Sequence, residues 1–324
     1  MFVAIVGVVI LGFFINISRQ QFQLGSFKSS TEIAATIDDA LEAFSVAPEQ
    51  ADKNFDFGRS LKFYVNKNAD KNTNFCNQLS VDQGQAVTYS KIIFAPLTLE
   101  SNSINIWSKT WFFPFKVGSF FYISSPRIKY HLVYDASTEI NVRQLYSEIP
   151  RRFNFELNSI STINQALANS EAQNFDLVKF IFFNSQANIA VNDKVNTLKV
   201  TFDPGSDRQG TLEFNSGPGT FFLTKEMLYG AIFAGSKSSY ECSRNLALTK
   251  LKFVAGVYSG KVDLLPPSNT EGLCDKYSII NENLRVLKDT QITQSNYQNI
   301  YSNINTLTAA NREAAGSGEC VAVF

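Results

Sequence analysis

The opening seventeen residues constrain this chain more than any other stretch. From Met1 to Ile17 there is no charged side chain. Residues such as Phe2, Val6, Val9, Leu11 and Phe14 make the run almost wholly apolar, and Asn16 is its one strongly polar member. As a helix rising about 1.5 Å per residue it would cover roughly 25 Å, slightly less than a hydrocarbon core of about 30 Å. A secretory signal peptide would carry a basic n-region and a small-residue cleavage site, and neither accompanies this run. The favoured reading is a retained single-pass transmembrane anchor over residues 1–18. A cleaved signal comes second and a buried core helix third.

Orientation rests on two opposed observations. Arg19 and Lys28 follow the apolar run, which by the positive-inside rule would leave the body in the cytoplasm. Against this, Cys76, Cys242, Cys274 and Cys320 are an even number, which permits two disulfides in an oxidising compartment. A chain that opens directly on its hydrophobic run is also consistent with a lost basic leader. The expectation is therefore a cell-membrane protein with an extracytoplasmic body. None of the cysteines forms a C-x-x-C pair, which argues against a zinc or thioredoxin-type site. The 29 Lys+Arg balance the 29 Asp+Glu, so there is no basic footprint for nucleic acid. With hydrophobic residues at 44% and aromatics at 13%, the chain is not intrinsically disordered.

The patterning beyond the anchor predicts an α+β fold, with an α/β core as its variant. It divides into a helix plus β-rich region (19–125), a mixed α/β region (126–235) and a helical C-terminal region (236–324). Ile33, Ile37, Leu41 and Phe44 lie on one helix face, with Ser30 or Thr31 as its cap. Trp111, Phe113, Phe115, Val117, Phe121 and Ile123 alternate as one strand face, with Pro114 opposite marking an edge or bulge. That alternation favours core over a membrane-interface or carbohydrate platform for the cluster from Trp107 to Phe115. A βαβ-like stretch follows, suggesting a small parallel or mixed sheet: strands over 128–135, 153–160 and 177–183, and helices over 138–149 and 161–172. Residues 194–202 and 210–215 read as a hairpin around Asp203-Pro204-Gly205. Helices are expected over 225–233 and 242–258. The series from Ile280 to Ile304 at three-and-four spacing reads as one long helix packed across its own domain. If the two long segments form an antiparallel hairpin, Cys320 returns to Cys242. The expected pairing is then Cys242 with Cys320, leaving Cys76 with Cys274.

Few residues point to chemistry. The single histidine, His131, is out of phase with Ile128, Tyr130, Leu132 and Tyr134 and in phase with Arg127 and Lys129. It is expected to face solvent, and its being alone excludes a His-rich zinc site and disfavours a triad. Asp38, Asp39, Glu42 and Glu282 read as solvated charges. Asn215-Ser216-Gly217-Pro218-Gly219 lacks the Gly-Lys-Ser/Thr of a phosphate loop and reads as a turn. The most site-like segment is Tyr134-Asp135-Ala136-Ser137-Thr138-Glu139. At the carboxyl end of a parallel strand, Asp135 and Ser137 are candidate metal ligands, with an N-cap as the alternative reading. No cofactor is indicated.

Three resemblances bear on these segments. Asp135-Ala136-Ser137 resembles the start of the Asp-x-Ser-x-Ser metal-adhesion motif of von Willebrand factor A domains, with Glu139 in place of the last Ser. An apolar helix flowing into an amphipathic helix and then a β-rich body resembles the layout of type IV pilins, although Ile5 stands where a mature pilin carries an acidic residue. The segment Ile92 to Asp135, from Ile-Ile-Phe-Ala-Pro through Trp-Ser-Lys-Thr-Trp, resembles membrane-anchored proteins of small-genome archaea, which implies no activity. The function expected from sequence is a membrane-anchored structural or protein-interaction role at the cell surface, with the membrane and a protein partner or self-association as its contacts. The alternatives are a tethered enzyme or metal-dependent binding module at Asp135, and a pilin-like filament subunit.

Overall fold

The computed structural model describes residues 30–46, 49–65, 78–82, 84–87, 91–265, 276–316 and 320–324. Helix α1 occupies 30–45. Its apolar stripe is the predicted one, with Ala34, Ile37 and Leu41 fully buried and Ile33 and Phe44 packed beside them. One carboxylate on its other side is not the solvated charge expected. Asp38 accepts from the buried Lys91 Nζ at 2.6 Å, which fixes α1 to the body.

Two six-stranded sheets follow. The first is built from β1 (Gln50–Val65), β2 (Gln78–Val81), β3 (Gly84–Val87), β4 (Ile92–Phe94), β5 (Thr98–Phe112) and β6 (Lys116–Ser124). Its order is β3-β2-β1-β5-β6-β4, antiparallel except for β4 beside β6. The alternation from Trp111 to Ile123 is therefore not one strand. The chain reverses at Phe113, cis-Pro114 and Phe115, where the Phe113 N–H donates to the Phe115 carbonyl at 2.9 Å. Pro114 needs no ladder hydrogen bond at a turn. Trp107 and Trp111 are fully buried, so the aromatic cluster is core.

The second sheet contains β7 (Ile128–Tyr134), β8 (Phe155–Ser159), β9 (Leu177–Phe183), β10 (Val195–Phe202), β11 (Gly210–Phe214) and β12 (Thr220–Phe222). Its order is β12-β11-β10-β9-β7-β8. The strands β10, β9, β7 and β8 are parallel, the last three in keeping with the parallel or mixed sheet expected from the alternation of strands and helices, and β11 and β12 return antiparallel. The crossover helices are α2 (Glu139–Glu148) and α3 (Gln165–Asn174), and they cover opposite faces. On one face Tyr130 and Leu132 join the main core. On the other, Val133, Phe180 and Phe182 form a smaller core with Ala168 of α3.

Helix α4 (Lys225–Phe233) lies between the sheets, with every residue from Met227 to Phe233 buried. A helix apolar all round can only be stable inside. It packs on β4, β6 and β12, so both sheets share one hydrophobic core.

The C-terminal region is three helices rather than two. These are α5 (Lys237–Asp263), α6 (Lys276–Asp289) and α7 (Tyr297–Gly316). The expected single helix through Ile280 and Ile304 breaks between them. Asn296 donates to the Gln291 carbonyl at 2.9 Å and accepts from the Thr293 N–H at 2.8 Å. Such local side-chain bonds compete with helix hydrogen bonds. Ser259 meets Asn281 at 2.6 Å and Lys276 meets Glu313 at 2.5 Å, so α5, α6 and α7 alternate in direction.

An odd number of antiparallel helices returns the chain to the far end of the first. Lys261 Nζ donates to the Val323 carbonyl at 2.6 Å, and the Val321 N–H donates to Tyr277 Oη at 2.9 Å. Cys320 thus sits by the C-terminal end of α5 and Cys242 near its N-terminal end. The nineteen residues from Cys242 to Lys261 span about 28 Å of helix, against the 7 Å limit for bridging Cα atoms. The expected Cys242–Cys320 bond is not made. Neither is a free thiol, and Cys76 and Cys274 lie outside the described residues.

The predicted transmembrane element is also corrected. Among the described residues, no helix is long and apolar enough to cross a membrane. The apolar run over 1–18 lies outside them.

Candidate metal centre

Asp135 sits at the carboxyl end of β7, as predicted, and its carboxylate is occupied by its own loop. Oδ1 accepts from the Ser137 N–H at 2.9 Å, Ser137 Oγ at 2.6 Å, the Thr138 N–H at 3.1 Å and Thr138 Oγ1 at 3.1 Å. These bonds, that from Ser137 first, hold the Asp135 carboxyl below its usual range. Ser185, after the adjacent parallel strand β9, adds to the same lowering. The segment acts as a turn closed on the Ser137 and Thr138 N–H groups just ahead of α2, which has no side-chain cap of its own.

Ligand-type side chains converge elsewhere, on the face of β7 that α3 covers. A ring nitrogen of His131 and one carboxylate oxygen each from Glu156 and Glu171 lie within 4.8 Å of one another. Among the described residues this is the one group of three or more such side chains. The three come from β7, β8 and α3. The parallel register sets His131 directly opposite Glu156, and the return of α3 over this face brings Glu171.

His131 is not on a solvated face. Its exposure is 0%, and its ring stacks on Phe180 of β9 at 4.7 Å between centroids. His131 does share its face of β7 with Lys129, as the period-two phase predicts, but α3 covers that face. The signal lay in β9, whose sequence Leu-Val-Lys-Phe-Ile-Phe-Phe is apolar on both sides. A strand of that kind belongs to a parallel sheet covered on both faces.

The hydrogen bonds define the imidazole's tautomer. Asn158 Nδ2 donates to Glu156 Oε1 at 3.2 Å, which turns Asn158 Oδ1 towards His131 Nδ1 at 2.8 Å. An amide oxygen only accepts, so Nδ1 carries the proton in this network. Nε2 is then left with a lone pair, and it is buried without a hydrogen-bond partner. Burial also lowers the His131 pKa from its usual 6.5, against the pull of Asn158 and the two glutamates. On the outer side, Lys129 Nζ bonds Glu156 Oε2 at 2.8 Å, and the Glu156 side chain is 46% exposed.

A buried lone pair beside two carboxylates is electrostatically unfavourable by itself and suits a divalent cation. One imidazole nitrogen with two carboxylate oxygens is a zinc-type donor set, and softer or harder ions fit it less well. Asn158 supplies the orienting second hydrogen bond that ligating histidines characteristically make. Ligand bonds of about 2.0–2.2 Å at tetrahedral angles place donor atoms roughly 3.3–3.6 Å apart. The carboxylates would therefore close by about 1 Å, a movement available to the half-exposed Glu156 and to Glu171 on its helix. No protein-family model, curated protein or solved structure matches the chain.

Proposed function

We propose that this protein is a structural or interaction module stabilised by a divalent transition-metal ion, of which zinc is the best fit, held by His131, Glu156 and Glu171. The observation that carries the reading is the buried, unpartnered Nε2 of His131 within a group that includes two carboxylates. The ion's task is mechanical. It would join β7, the edge strand β8 paired with it and the covering helix α3, adding a side-chain link to the backbone ladder. Two carboxylates neutralise the ion, and Lys129 pairs with Glu156 Oε2 as a counter-charge.

A single histidine makes the test simple, because the imidazole ring gives one set of NMR signals. Titration of the full-length, metal-free protein with zinc should shift the His131 ring resonances and saturate at one ion per chain. Ligand linkage should raise stability by about 2.7 kcal/mol at a free zinc concentration one hundred times the Kd. Glu171→Gln, on a partly exposed helix position, should weaken binding at least tenfold while the protein stays folded. Stoichiometric binding that survives Glu171→Gln without moving the His131 signals would assign the zinc elsewhere and overturn the reading.

A further inference from the structure

Helix α5 has two packed sides and one bare one. Leu251, Ala255 and Val262 are buried, and Ser259 meets α6 at Asn281. The outward ridge runs at four-residue spacing through Asn245, Thr249, Phe253 and Val257, and reaches Leu264 past Gly260. Its first half is polar, as the solvent side of a helix should be. Its second half is not. Phe253 is 73% exposed, Val257 57% and Leu264 88%, and nothing among the described residues covers them. Three large apolar side chains within about 16 Å of one ridge form a patch, unlike the scattered exposure that any surface carries.

Gly260 is the second observation. It stands on this ridge inside a helix of 27 residues, where a glycine costs helix stability. A Cβ built there would meet nothing within 4 Å, so no described neighbour requires the glycine. A closely approaching second helix would require it, whereas a flat partner or a lipid surface would not. The charges beside the ridge are self-complementary as well. Lys252 and Asp263 stand about three helical turns apart and therefore on the same flank, at opposite ends of the patch. Asp263 accepts from Asn281 at 2.6 Å and from Arg285 at 3.2 Å, and half of its side chain stays exposed.

We propose that α5 pairs with α5 of a second copy of this chain, antiparallel about a two-fold axis at Val257. The axis sets the register: position 253 comes level with position 261 of the other chain, and 252 with 262. Phe253 then enters the hole between the partner's Val257, Gly260, Lys261 and Leu264, which the glycine deepens. Lys261 is drawn off the ridge, since its Nζ donates to the Val323 carbonyl at 2.6 Å. Lys252 comes beside the partner's Asp263, and symmetry makes that contact twice. A lone helix pair buries less than the roughly 800 Å² per partner of a standard interface, so the dimer is of micromolar affinity. This surface lies apart from the His131 centre and does not depend on it.

The test is sedimentation velocity on the full chain from about 1 to about 500 μM, where a reversible monomer–dimer equilibrium should appear. Val257→Lys sets two like charges on the axis, and Gly260→Leu fills the hole. Each should raise the dimer Kd about tenfold or more, with the circular dichroism unchanged. Gly260→Leu adds apolar surface, so general stickiness predicts the opposite sign. Lys252→Glu and Asp263→Lys should each weaken the dimer, and their equimolar mixture should restore it, because the mixed pair regains both ion contacts. A chain that is monomeric throughout overturns the proposal. So does a dimer indifferent to Val257→Lys, one tightened by Gly260→Leu, or a mixture no tighter than its components. Larger assemblies that survive Val257→Lys would assign the association to another surface, such as the apolar run over 1–18, and overturn it too.

Discussion

Lys179 shows how one residue can be placed against its chemistry. It lies in the centre of β9, is 2% exposed, and has no carboxylate partner; its Nζ donates to the Ala231 carbonyl at 2.9 Å and the Ala234 carbonyl at 2.6 Å. These are carbonyls at the end of α4, where a helix runs out of its own donors. Either protonation state can serve, because a neutral amine still has two N–H groups. Burial therefore lowers the Lys179 pKa to about 7 from 10.5. Between those values the unfolded chain holds a proton that the folded chain lacks, so stability rises with pH across that window. Below about pH 7 both states are charged and the cost of burying the charge is fully present. Urea melts of the native protein and Lys179→Met at pH 6 and pH 9.5 should show the native protein gaining on the variant, by on the order of a few kcal/mol. An unchanged difference would mean that Lys179 stays charged throughout. Lys179 is the one charged residue of an apolar strand, and His131 shares β7 with Lys129. Sequence phase gave the face of each side chain but not what lies above it.

Among the elements, α4 carries the most consequence for its length. Its nine residues touch both sheets, and Gly230 is where one of them comes closest. A Cβ built there would lie 2.7 Å from the Phe94 ring, which is itself enclosed by Phe120, Tyr122 and Tyr240. Helix propensity alone would make Gly230→Ala stabilising by about 1 kcal/mol. Overpacking against a ring that cannot retreat costs about 1–3 kcal/mol and should win. The urea midpoint should therefore fall, and a rise would show that Phe94 has room to move. The bounds of α4 and β9 could be read from sequence because each is a short apolar run closed by turn or capping residues, such as Thr224, whose side chain accepts from the Met227 N–H at 3.3 Å. The α6–α7 break could not. Gln291, Thr293 and Asn296 keep the helical spacing of apolar residues on either side, and only the bonds they make with each other reverse the chain.

For the whole molecule, the shared core makes a definite statement about cooperativity. Both tryptophans lie on β5 in the first sheet, and the one histidine lies on β7 in the second. Tryptophan fluorescence and the His131 ring signals should vanish at the same denaturant concentration, because α4 cannot leave one sheet without exposing the other. Two separated transitions would show that the sheets fold as independent units. The composition and periodicity of the chain by themselves determined that it folds as a mixed α and β protein, that strands alternate with helices from β7 to β9, and that its aromatic clusters are core. These follow from local rules, since side-chain alternation and turn chemistry act over a few residues. Only the tertiary structure decided that α3 covers His131, that Glu156 and Glu171 reach it, and that Cys320 ends far from Cys242. Each of those depends on the number and direction of elements that intervene in the chain, and distances of that kind are set by packing rather than by spacing in sequence.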